Sequence, residues 1–234
     1  MRAFTKFFLL SLLTTTISIK SFAQGCAFSD DYSNAGLWTY FYYYYDVTGT
    51  CLSDEQHGSL TISGGALNYN NTNDANDTRF YRDLGFTLNE DFWTCAFEFT
   101  PESAGAAGRT GHTLFALSNG NGNPISDTYS ICTFLNQDAI AVMWFAEYAV
   151  DPDSVGFEIW ANDNGVVTFS DRIPVDYGST YYMQLTRIDF IYMELDVFAD
   201  PDHTDLIGTI PCFEIPSTIN GLNTLQHGNF PGGS

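Results

Sequence analysis

The stretch FWTCAFEFT (92–100) puts Trp93, Cys95, Phe97 and Phe99 on one face of an extended chain. Apolar residues at every second position mark a strand with one face in a core, because successive side chains of an extended backbone point to opposite sides. MELDVFA (193–199) repeats the pattern with Met193, Leu195, Val197 and Ala199. SLTIS (59–63), HTLFALS (112–118), YSICTFL (129–135), AIAVMWFAE (139–147), FEIWA (157–161), VVTFS (166–170) and YYMQLTR (181–187) are further strand candidates. Turn clusters separate them, among them Ser63-Gly64-Gly65 and Asp176-Tyr177-Gly178. Asn162-Asp163-Asn164-Gly165 reads as a hairpin turn, because Asn and Gly tolerate positive φ. The polar run NYNNTNDANDTR (68–79) reads as a solvated loop. No helical stripe persists for three turns. The pattern therefore predicts an all-β protein, an antiparallel two-sheet β-sandwich.

The chain begins with Arg2 and Lys6, an apolar run from Phe7 to Leu13, and the small-residue pattern Ser21-Phe22-Ala23 before Gln24. That is the layout of a secretory signal peptide over residues 1–23, and its apolar run falls well short of the ~20 residues of a membrane-spanning helix. One domain is expected over residues 24–234, exported to the cell surface or beyond. The leader holds three of the eight basic residues, so the remainder keeps five, all arginine, against 28 acidic residues. A surface so acidic repels phosphate backbones and anionic lipid, which argues against nucleic-acid partners and membrane insertion.

The five cysteines, Cys26, Cys51, Cys95, Cys132 and Cys212, lack CxxC spacing. In an exported chain they are disulfide candidates, and an odd number leaves one thiol without a partner in this sequence.

LWTYFYYYYD (37–46) carries seven aromatics among the eight residues from Trp38 to Tyr45. On a strand, Trp38, Tyr40, Tyr42 and Tyr44 share one face, and Thr39, Phe41, Tyr43 and Tyr45 share the other. One face takes the core. The other is either covered by a loop or partner, or forms a platform on which sugar rings stack their C–H faces while tyrosine hydroxyls stay wet. Trp38, Tyr40, Tyr42 and Tyr44 are the stacking candidates. Trp144 and Trp160 are candidates of lower rank, since tryptophans in sandwiches commonly serve the core.

Glu194 and Asp196 lie on the outward face of MELDVFAD, about 6.6 Å apart by strand rise. The four histidines show no paired metal-ligand spacing, and no Gly-x-Ser-x-Gly elbow occurs. Asp200, Asp202 and Asp205 offer closely spaced hard oxygen ligands and are the candidates for a structural calcium ion, the one cofactor considered. Asp151-Pro-Asp153 is a similar group. Neither fits an EF-hand loop, and turn-forming Asp-Pro is the simpler explanation.

Several phrases occur in a telling order: FSDDYSNAGLW (28–38), SGGALNY (63–69), FWTCAFEFTPES (92–103), GHTLFALSNGNGNP (111–124), YYMQLTR (181–187) and PCFEIPSTINGLNTLQHGNFPGGS (211–234). Together they resemble the laminin-G-like, concanavalin A-like jelly-roll domains of exported bacterial proteins of the Bacteroidetes type. The resemblance implies two antiparallel sheets and carbohydrate binding as the commonest role, although relatives also hydrolyse glycans or bind protein. It also implies pairing of the first and last strands. The sequence is therefore expected to stop short of its last strand, where a partner for Cys26 would lie.

Glu194 and Asp196 are similar to part of the Glu-x-Asp-x-x-Glu or Glu-x-Asp-x-Glu signature of jelly-roll glucanases. The third carboxylate would stand at position 198 or 199, where this chain has Phe198 and Ala199. Without it the two-carboxylate mechanism is not assembled. The expectation is a non-catalytic carbohydrate-binding module with a polysaccharide or glycan partner. The alternatives are a structural or adhesive domain that binds protein and, ranking lower, a glycan hydrolase.

Overall fold

The computed structural model describes residues 39–45, 51–53, 59–63, 66–70, 76–101, 110–120, 137–146 and 155–230. It describes side chains over 81–101, 114–120, 137–145 and 155–228. The strands are β1 (Thr39–Tyr45), β2 (Cys51–Ser53), β3 (Ser59–Ser63), β4 (Ala66–Asn70), β5 (Asn76–Asp83), β6 (Trp93–Phe99), β7 (Thr110–Ser118) and β8 (Ala139–Ala146). They continue with β9 (Val155–Asp163), β10 (Val166–Phe169), β11 (Ile173–Pro174), β12 (Tyr181–Arg187), β13 (Tyr192–Phe198), β14 (Leu206–Glu214) and β15 (Thr224–Phe230). No helix occurs among the described residues, and hence none long and apolar enough to cross a membrane.

Nine strands form one antiparallel sheet in the order β10-β9-β8-β7-β15-β5-β1-β2, with β11 also paired to β9. Four form a second in the order β14-β13-β12-β6, and β3 pairs with β4 separately. The two larger sheets make the expected sandwich.

The core follows from the alternation in the sequence. On β12, Tyr181, Met183, Leu185 and Arg187 are buried and the residues between them half-buried. On β13, Met193, Leu195 and Val197 are 0% exposed. The facing sheet contributes Leu117, Ile140, Val142, Trp144, Phe157, Ile159 and Leu225. Rings bridge the layers: Phe97 stacks on Phe115 at 4.9 Å, and Phe157 meets Tyr181 edge-on at 5.6 Å. Each such aliphatic or aromatic side chain contributes about 1.5–3 kcal/mol by leaving water.

The hairpin expected at 162–165 is present. Asn164 and Gly165 have φ of 47° and 97°, and Asp163 pairs with Val166 across a two-residue turn whose twist matches that of the flanking strands. Asn162 Oδ1 accepts the Gly165 N–H at 2.8 Å. On β14, an edge strand, Pro211 and Cys212 fall between the paired residues Ile210 and Phe213. Cys212 has φ 48°. A bulge and a proline, which has no N–H to offer, blunt that edge against pairing with another chain.

The structure departs from expectation in several places. The run 68–79, read as loop, is strand at both ends: 68–70 close β4, which pairs with β3, and 76–79 open β5, which lies between β15 and β1 in the large sheet. Pairing on both sides overrides the low strand propensity of Asn76 and Asp77. Ala199 is exposed just beyond β13 rather than continuing its apolar face; its N–H donates to Asp205 O and closes the next loop. β14 and β15 form in a region where no strand is read from the sequence, since neither shows clean apolar alternation.

Cys95 is buried and disulfide-bonded, whereas Cys212 is exposed and free. Cys51 lies in β2 with its side chain outside the described residues. Cys26, Cys132, Trp38, the expected leader, YSICTFL (129–135), Asp151 and Asp153 all lie outside the described residues, as does the expected strand beyond Ser234.

Candidate functional site on the outer side of the large sheet

β9 sends Val155, Phe157, Ile159 and Ala161 into the core, so Gly156, Glu158, Trp160 and Asn162 belong to the opposite, outer side. Register then fixes a rung of direct partners across that side. It runs Phe169, Trp160, Ala141, Ala116, Gln226, Tyr81.

At the β10 end of the rung the aromatic rings form a ladder. Trp160 stacks on Phe145 at 5.3 Å between centroids and 27° between planes, and on Phe169 at 5.6 Å and 30°. Phe145 is on β8 and Phe169 on β10, the two strands that flank β9. Of the two phenylalanines stacked on the indole, Phe169 is the exposed end of the ladder. Phe145 is 2% exposed, Trp160 half-buried and Phe169 65% exposed.

Charge sits beside the rings in compensated form. Glu158, 6% exposed, accepts the Trp160 Nε1–H on Oε2 at 2.8 Å. Its other oxygen accepts from Arg172 Nε at 2.7 Å and pairs with the second guanidinium nitrogen at 2.6 Å. The Arg172 guanidinium lies 5.6 Å from the centroid of the Phe145 ring. Both carboxylate oxygens of Glu158 are thus engaged as acceptors. Further along the rung, Gln226 Nε2 donates to Ser118 Oγ at 2.6 Å and to Gly120 O at 2.8 Å.

The sequence candidates fall in different places. Trp160 is in the ladder. Trp144 is in the core at 1% exposure, against Phe99 and Tyr177, so it offers no open ring face. Tyr40, Tyr42 and Tyr44 pair in register with Phe80, Thr78 and Asn76. The side chains of Tyr40, Tyr42 and Tyr44 lie outside the described residues.

Glu194 and Asp196 lie on the outer side of the small sheet. Glu194 is held above the ordinary glutamate range by burial and then by the neighbouring Asp196 charge, and Asp196 Oδ1 accepts from Thr209 Oγ1 at 2.6 Å. Phe198 stacks on His203 at 4.7 Å where a third carboxylate would be needed.

Asp200, Asp202 and Asp205 do not converge. Asp200 instead organises its own loop: Oδ1 accepts the Thr204 and Asp205 N–H groups at 2.9 and 2.5 Å, and Oδ2 accepts from Thr204 Oγ1 at 2.9 Å. The Asp205 N–H bond, the largest influence, helps hold the Asp200 carboxyl below the ordinary aspartate range. Among the described residues no group of three or more His, Cys, Asp and Glu is placed to hold a metal ion.

Phe145, Phe169, Glu158 and Arg172 are absent from the sequence candidates, yet a signal for one pair existed. A two-residue turn at Asn164-Gly165 sets 163 opposite 166, and hence Trp160 opposite Phe169.

No family model matches the chain, and no curated protein matches it. Among solved structures it is similar to the carbohydrate-binding module CBM66 from Bacillus subtilis, with 10% identity and a TM-score of 0.33 over 83% of this chain and 91% of that one. A likeness that weak carries no argument about binding.

Proposed function

We propose that the chain is an exported, non-catalytic carbohydrate-binding module, acting at the cell surface or outside the cell, and that it binds through the outward face of Phe169. The observation that supports this is the ladder: an aromatic ring 65% exposed, its plane set by stacking on Trp160. A pre-set ring loses little freedom when a pyranose C–H face settles on it. Five arginines against 28 acidic residues beyond the expected leader favour neutral glycans over sulfated or uronate-rich ones.

The test is affinity electrophoresis of the wild type and Phe169→Ala in gels cast with a soluble β-glucan, a mannan or heparin, with calcium present and then chelated. Retardation by a neutral polysaccharide, weakened about tenfold or more in Phe169→Ala while the melting temperature stays within a few degrees, is the expected result. No retardation by any neutral polysaccharide overturns the reading.

A second reading, a structural or adhesive domain, has its own observation. Val166 and Phe169, 66% and 65% exposed, lie on opposite sides of the edge strand β10, an edge that a protein partner could extend. It predicts association with protein and none with sugar.

A further inference from the structure

Resting on the reading of the ladder as the ligand surface, we infer that Arg172 is a positioning residue of that surface: it fixes Glu158, and Glu158 fixes the plane of Trp160 against which Phe169 lies. The relay begins at a glycine. A Cβ on Gly156 would fall 2.4 Å from Arg172 Cγ and 2.4 Å from Ile173 O. The stem of Arg172 therefore crosses β9 at the position that has no side chain. Glu158 is the next residue of β9 on that outer side, so a side chain laid over Gly156 arrives alongside it.

The carboxylate then bridges two partners with separate oxygens, Oε1 to Arg172 and Oε2 to the indole N–H. Stacking alone leaves a ring free to slide in its own plane, and an N–H donated to an anchored carboxylate removes that freedom. Arg172 also approaches the inner end of the ladder, over Phe145. A carboxylate 6% exposed depends on its cation, because an unpaired charge there would turn to water and release the indole. Loss of Arg172 should thus be felt at Trp160 and Phe169, although Arg172 need not touch the sugar.

The experiment uses the full chain and compares Arg172→Gln with the double variant Arg172→Gln/Glu158→Gln, taking Trp160→Phe as reference. The Trp160 contribution, obtained as the difference in near-UV circular dichroism between wild type and Trp160→Phe, should collapse in Arg172→Gln. It should return in the double variant, where an amide oxygen still accepts the indole N–H with no charge left to desolvate. Affinity for the neutral polysaccharide that retards the wild type should fall about tenfold and recover in the same order. An unchanged Trp160 signal in Arg172→Gln, or a double variant no better than the single, overturns the relay. If the spectra follow the predicted order while the wild type binds no polysaccharide, the relay stands and the carbohydrate reading falls.

Discussion

Arg187 is 1% exposed and lies at the end of a strand face otherwise made of Tyr181, Met183 and Leu185. It is tolerated there because its planar fork satisfies carbonyls: Nε donates to Asp189 O at 3.1 Å, and the second guanidinium nitrogen donates to Phe190 O at 2.9 Å and Ile219 O at 3.1 Å. Burial lowers its pKa, and Glu90, Asp189 and Asp91 partly oppose that shift. Arg187→Leu keeps the volume but strands three carbonyls, and should cost about 3 kcal/mol or more, seen as a lower urea midpoint with an unchanged m-value. A cost below about 1 kcal/mol would mean that those carbonyls find other donors. Glu194 offers a test of opposite sign. Its raised pKa means that the fold disfavours its charged form, a cost absent below the ordinary glutamate range and present once pH rises through the raised value. Glu194→Gln should therefore raise the melting temperature at about pH 7 and leave it unchanged at about pH 3, a difference that paired thermal melts would measure.

Strands with one wet face were legible from alternation alone. β6, β12 and β13 appear where period two places them, and so does the Asn164-Gly165 turn. β5 was illegible because Asn76, Asp77, Thr78 and Arg79 carry no apolar alternation; pairing to β15 and β1, a property of the whole sheet, makes that segment a strand. The ladder was half legible, since the hairpin turn implies the Trp160 and Phe169 pairing while the approach of Arg172 from the segment before β11 is a tertiary event. At that junction Gly156 pairs with both Phe145 and Pro174. Gly156→Ala would drive a methyl group into the Ile173 carbonyl, a backbone atom with little room to yield. It should destabilise by about 2 kcal/mol or more by urea melt and weaken the Trp160 near-UV signal as well. A variant as stable as the wild type would show that β9 and β11 separate at no cost.

At the scale of the molecule, the sandwich leaves two outer surfaces of different character. The small sheet presents Glu194, Asp196 and hydroxyl-bearing neighbours, a solvated face whose carboxylates lack the third member that glycan hydrolysis of this type requires. The large sheet exposes the aromatic end of its rung at Phe169, while Ala141, Ala116 and Gln226 further along are buried, so the ligand is assigned to the Phe169 end alone. The direct measurement is a nitrogen-15 correlation spectrum of the folded chain during titration with the neutral polysaccharide fragment that binds it. Binding at the ladder should move the Trp160 indole N–H and the Thr168 and Phe169 amides and leave the small sheet still. Shifts confined to the Tyr40, Tyr42 and Tyr44 amides of β1, or to Glu194 and its neighbours, would contradict it.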